Sequence, residues 1–266
     1  MISTPPPTPR PIDLTTYPRA DILRAFMNRQ MPQISVTCEV DVTAIRRGCD
    51  AAGVSFFLGM SHAVSRAVHA VPQFRHRVID GTLCEYDRTD PGYTVAREGD
   101  LFSFCDGLYL EDFRAYCREA RARMEAVKVA PDLSVGPKHH LFFISSVPWL
   151  NFTAFTHPYD PVYAYIPVIT LGQFVTRGDA VVMPVAVQVH HGVVDGYRIH
   201  RRTRCQQRRD RDPLCRRPHL PRRGGPRADD RRRRHHARRH GAGRSRRQSP
   251  GPLPLCLPDR THHRLD

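Results

Sequence analysis

The sequence has no run of 18 apolar residues, so no segment is expected to cross a bilayer as a helix. Its opening, MISTPPPTPRPIDL, has no apolar core of the kind a secretory leader needs. Cysteine is present but unorganised: Cys38, Cys49, Cys84, Cys105 and Cys117 form no CxxC pair and no regular framework. Scattered thiols without a leader predict a reducing cytoplasm. No 20–50-residue repeat occurs, which argues against a solenoid or propeller. Metal-ligand spacing is missing as well. His139–His140 and His190–His191 have no cysteine or carboxylate placed beside them at such a spacing, and neighbours on a strand point to opposite faces. No metal is expected.

Arginine, by contrast, is abundant, and it is unevenly spread. The chain of 266 residues carries a formal net charge of +15, which at first suggests a nucleic-acid binder. Residues 201–266 hold 22 arginines, no lysine and 6 aspartates, a net of +16, whereas residues 1–200 carry a net of −1. The basic excess therefore belongs to the last quarter alone. That quarter has no apolar period of 2 or 3.6 and is punctuated by proline and glycine, so it cannot bury enough surface to offset its ordering entropy. It lacks the interleaved aromatics, zinc spacing or helix-turn-helix pattern of specific recognition, so nucleic acid would be held only non-specifically, through phosphate neutralisation. Arg, Pro, Gly and Ala share GC-rich codons, and the abrupt change near Arg201 predicts a shift of reading frame in a GC-rich gene.

Residues 1–200 read as one mixed domain. Residues 20–30, 54–72 and 110–130 repeat their apolar positions with helical spacing. SVTCEVDVTAI (35–45) alternates Val36, Cys38, Val40 and Val42, the pattern of a half-buried strand. Asp80-Gly81 between two β-prone runs predicts a two-residue hairpin. Apolar runs at 141–147, 163–175 and 180–189 predict further strands, with a reversal at Gly178-Asp179. Strands and helices that mix without strict alternation favour an α+β two-layer sandwich, a mixed sheet covered by helices.

VQVHHGVVDG contains two histidines and, four residues past the second, Asp195-Gly196. By itself a histidine at a strand end is most often a hydrogen-bonded structural residue. The whole pattern H-H-x-x-x-D-G nevertheless resembles the signature of the chloramphenicol acetyltransferases, and more loosely that of the acyltransferase cores of 2-oxo acid dehydrogenase complexes. YPRADILRAF, VPQFRHRVIDGTLCEYDRTDPGYTV, LFSF, ISSVPWLNFTAF and PVITLGQF match the same family in its order, so the likeness spans Tyr17 to Ile199.

The resemblance implies acetyl transfer from acetyl-CoA to a hydroxyl of chloramphenicol or a similar small alcohol, by a homotrimer whose sites lie at subunit boundaries. It makes His191 the general base, leaves His190 structural, and pairs Asp195 with Arg19. It gives Ser145 the oxyanion contact, with Ser146 its neighbour, and gives Thr170 a supporting role through a bound water. The acceptor pocket would include Ala25, Phe26, Phe102 and Phe104; Ala25 and Phe26 stand where the family has a Phe-Tyr pair. Trp149, the single tryptophan, is assigned to packing. The chain departs from the family after Asp195-Gly196, where a C-terminal amphipathic helix is replaced by the arginine-rich stretch. The alternatives are an acyltransferase fold left inactive by that loss, or non-specific nucleic-acid binding through the stretch itself.

Overall fold

The computed structural model describes residues 1–134, 136 and 138–199. The arginine-rich stretch, with its expected disorder and frame shift, lies outside them.

The proline-rich opening contributes a short strand, β1 (Pro9–Pro11). Helix α1 (Ala20–Met27) buries Leu23, and β2 (Gln33–Asp41) follows. The strand stops at Asp41 rather than running on to Ile45, for a local reason. Asp41 Oδ1 accepts hydrogen bonds from the Thr43 N–H at 2.9 Å and the Thr43 hydroxyl at 2.6 Å. That turn starts a helix the alternating pattern hides, α2 (Thr43–Ala52). Helix α3 (Phe56–His69) is capped by the Ser55 side chain, which accepts from the Leu58 N–H at 3.4 Å. Strands β3 (His76–Ile79) and β4 (Thr82–Tyr86) form the expected hairpin, with Asp80 and Gly81 both at positive φ, 47° and 77°.

Strands β5 (Asp90–Ala96) and β6 (Phe102–Asp106) precede α4 (Phe113–Val129), whose Asp112 cap accepts from the Ala115 N–H at 2.7 Å. Then come β7 (Leu141–Ser146), β8 (Val168–Leu171), β9 (Val175–Arg177) and β10 (Ala180–His190). The apolar run 163–175 is thus not one strand. It starts within a 3₁₀ turn that ends at Tyr163, β8 begins only at Val168, and Gly172 breaks the run, where an added Cβ would lie 2.6 Å from Pro184.

A small sheet orders β1-β4-β3; the large one orders β2-β10-β8-β7-β5-β6, with β9 also on β10. The pairs β5–β7 and β7–β8 are parallel, while the others are antiparallel. Residues in register share a face. Ile144, Ile169 and Val187 therefore look one way and Ser145, Thr170 and Ala186 the other. The first face carries the core, including Val95, Ile144, Ile169, Val185 and Val189, all 8% exposed or less. Beside Arg198 and Ile199 an apolar cavity of about 260 Å³ opens between this face and residues of α2 and α3. The second face positions the site.

Candidate active site

Strand β10 ends at His190, and the chain turns over the next residues. The turn is pinned from several directions. The His191 N–H donates to Pro32 O at 2.8 Å, and Arg19 Nη2 donates to His191 O at 3.1 Å. Arg19 Nη1 lies 2.5 Å from Asp195 Oδ2, and the Arg19 side chain is only 8% exposed. Asp195 does a second job with its other oxygen: Oδ1 accepts the Arg198 N–H at 3.0 Å, capping a helical turn at 196–199. Burial pushes the Asp195 carboxyl up, but the Arg198 N–H and the Arg19 guanidinium outweigh it and hold the carboxyl below its ordinary value.

The two imidazoles have opposite tautomers, set by their partners. His191 Nδ1 faces Val194 O at 3.3 Å. A carbonyl only accepts, so Nδ1 carries the proton and Nε2 keeps its lone pair. The Phe26 ring, 4.5 Å away edge-on, fixes the ring plane. His190 instead accepts the Gly192 N–H at Nδ1, 3.1 Å, and stacks on Tyr165 at 4.1 Å. It is buried, and burial lowers its pKa to about 4.

A second cluster lies on the open face of the sheet. A cavity of about 490 Å³ is lined by Phe104, Phe143, Ser145, His157, Tyr163 and Gln188, among others. Of the two adjacent serines, Ser145 lines it. Ser145 is in register with Thr170, which is buried at 1% exposure. Thr170 Oγ1 meets His157 Nε2 at 2.8 Å. Gln188 receives the His157 N–H at 2.8 Å and donates to Gln33 Oε1 at 2.7 Å.

The expected site residues therefore fall into two groups. Arg19, Phe26, His191 and Asp195 meet at the end of β10; Ser145 and Phe104 line the cavity, with Thr170 buried beside it against His157, and Phe102 touches Phe104 at 5.6 Å while standing 49% exposed. Ala25 is exposed on α1. Thr170 is in register with Ala186, five residues before His191, which is about 16 Å of strand. Trp149 corrects an expectation: at 70% exposed it packs into no core, because Pro148 ends β7 and the turn throws the ring outward. Gln33, Gln188 and His157 were not anticipated. A glutamine inside the apolar run of β10 was the available signal for Gln188; His157 sits where no periodic pattern exists. Among the described residues no cluster of three or more His, Cys, Asp or Glu could hold a metal, and no helix is long and apolar enough to cross a membrane.

A helix-covered mixed sheet with an imidazole at the end of β10, one strand in from the β2 edge, is the frame of an acyltransferase, and the solved structures agree. A chloramphenicol acetyltransferase superposes with a TM-score of 0.65 at 29% identity, covering 74% of this chain and 97% of that one. A dihydrolipoamide acetyltransferase from Azotobacter vinelandii shares the fold, with a TM-score of 0.51 at 17% identity over 70% of this chain and 83% of that one. The chloramphenicol acetyltransferase family model matches residues 10–207, and this chain belongs to that family. Relatives include the chloramphenicol acetyltransferase of Proteus mirabilis, 30% identical over 71% of this chain and 89% of its own. Chloramphenicol acetyltransferase 2 of Escherichia coli is 34% identical over 70% and 89%.

Proposed function

We propose that the chain transfers an acetyl group from acetyl-CoA to a hydroxyl of chloramphenicol or a closely similar small alcohol, in the cytoplasm, as a homotrimer. His191 Nε2 takes the proton of the acceptor hydroxyl as its oxygen attacks the thioester carbonyl carbon. The carbonyl π pair moves to oxygen, and Ser145 donates a hydrogen bond to that oxyanion. Collapse of the intermediate breaks the carbon–sulfur bond, and the leaving thiolate recovers the proton from His191. Arg19 and Asp195 hold the turn that carries the base. Phe26 and Phe104 would face the acceptor, with Ala25 and Phe102 at its margin.

The observation that carries this reading is the tautomer of His191, whose Nδ1 is engaged by Val194 O and whose Nε2 is left basic. The separation of the two clusters supports the assembly. A base and an oxyanion donor serving one reaction lie within roughly 7 Å of each other, since each must reach the reacting atoms at about 3 Å. The register sets His191 and Ser145 of one chain further apart than that along the sheet, which supports a reading in which a second copy completes the site. The five described cysteines are all free thiols, in keeping with a reducing compartment.

The test is release of coenzyme A thiol in the presence of acetyl-CoA and a panel of alcohols. Chloramphenicol should turn over, and His191→Ala should lower kcat by about 10²–10⁴-fold with the fold intact. His190→Ala should act through thermal stability. Equal losses of kcat in two well-folded variants would remove His191 from the role of base.

A further inference from the structure

Thr170 is 1% exposed and does not line the cavity, whereas His157, whose Nε2 lies 2.8 Å from the Thr170 hydroxyl, does line it. This imidazole is therefore a hydrogen-bonded route from Thr170 to a molecule in that cavity. The ring is held firmly enough for such a task. Its backbone N–H donates to Gln188 Oε1 at 2.8 Å, Gln188 Nε2 returns a bond to His157 O at 3.3 Å, and Gln188 is itself tied to Gln33. The Phe155 ring lies 5.1 Å from the imidazole. Gln188 is 3% exposed, so the anchor is internal to the sheet face. Burial lowers the pKa of His157, which favours the neutral ring.

We propose that His157 is a positioning residue of the transfer reaction: it links the buried Thr170 hydroxyl to the cavity beside Ser145 and fixes the hydrogen-bonding at the oxyanion end of the site. The resemblance gives Thr170 a bound water as its intermediary. In this chain the atom at hydrogen-bond distance from Thr170 is an imidazole nitrogen. A side chain on a braced backbone needs no ordering when substrate arrives, so its hydrogen-bonding is preorganised where a water's is not. The inference rests on Ser145 facing the thioester, as argued above.

The experiment is a double-mutant cycle in the full chain with acetyl-CoA and chloramphenicol. His157→Ala and Thr170→Val should each lower kcat about tenfold, the worth of one neutral hydrogen bond, with KM for acetyl-CoA within about twofold. The double variant should lose no more than either single one. His157→Gln, whose amide reaches the position of Nε2, should recover most of the rate. An unchanged kcat in His157→Ala, additive losses, or failure of glutamine to rescue overturns the proposal. A second measurement needs no turnover. The ring ¹⁵N resonances of His157, assigned by their loss in His157→Gln, should move in Thr170→Val, and an unmoved ring overturns the link directly. Lack of activity in the unaltered chain, with the ring resonances shifting as expected, would instead count against the proposed function and leave the hydrogen bond standing.

Discussion

His191 donates from Nδ1 to a carbonyl, while His190, one peptide bond earlier, accepts at the same atom. One imidazole is thus left with a basic nitrogen and its neighbour is committed to packing. The sequence could say that the pair was unusual; it could not say which nitrogen either ring would use, because the partners are backbone groups created by the turn. Arg19 and Asp195 make a similar point. Their chain positions differ by 176, yet the guanidinium contacts both the carboxylate and the carbonyl of His191. Removing one partner leaves the other partly buried and uncompensated. In a double-mutant cycle, Arg19→Ala and Asp195→Ala should show a coupling of about 1–3 kcal/mol in thermal stability, with a parallel loss of activity. Additive effects would mean that the contact does not hold in solution.

At the level of elements, the three helices with clear apolar period and the Asp-Gly hairpin were legible. They depend on local spacing and turn chemistry, which a sequence displays. Helix α2 was not legible, because Val40 and Val42 continue a strand pattern across a boundary that only the Asp41 turn enforces. Gly59 shows how packing can invert a propensity argument. A glycine within a helix ordinarily costs about 1 kcal/mol relative to alanine. Here a Cβ on Gly59 would sit 2.1 Å from Cys49 Sγ, where α2 crosses α3. Gly59→Ala should therefore destabilise by about 1–3 kcal/mol in chemical denaturation, and Cys49→Ala introduced with it should recover much of that loss. A more stable Gly59→Ala would show that the two helices lie further apart.

For the whole molecule, the separation of His191 from Ser145 makes a prediction about mixing. His191→Ala and Ser145→Ala should each be nearly inactive alone. Unfolded together and reassembled in equal amounts, they should regain about a quarter of the sites, because random pairing unites two intact halves at that frequency. No recovery would place both residues in one chain's site. Histidine also governs acid stability. Burial lowers His76 and His190 to about 4 and holds His62, His69, His139, His140 and His157 below their ordinary value. The unfolded chain, with ordinary pKa values near 6.5, binds more protons than the folded one between about pH 6.5 and 4. Stability is thus full above that window and declines as pH falls through it. The thermal midpoint followed by circular dichroism should drop steadily over this range, and His190→Asn should flatten the slope; a flat profile would mean these rings are not buried in solution.

Strand β10 pairs with β2 along nine residues, and Gln33 meets a partner 155 positions later in the chain. This has a consequence for the birth of the protein on the ribosome. The ladder that places His191 cannot begin to zip until nearly all of residues 1–199 have been synthesised and have left the exit tunnel. Until then β2 waits with its backbone donors and acceptors open, a template for the wrong neighbour. Contacts this remote in sequence slow folding, because a long loop must close before they can form. Synthesis interrupted between β2 and β10 would therefore release a chain without the His190–His191 turn and with an unpaired edge.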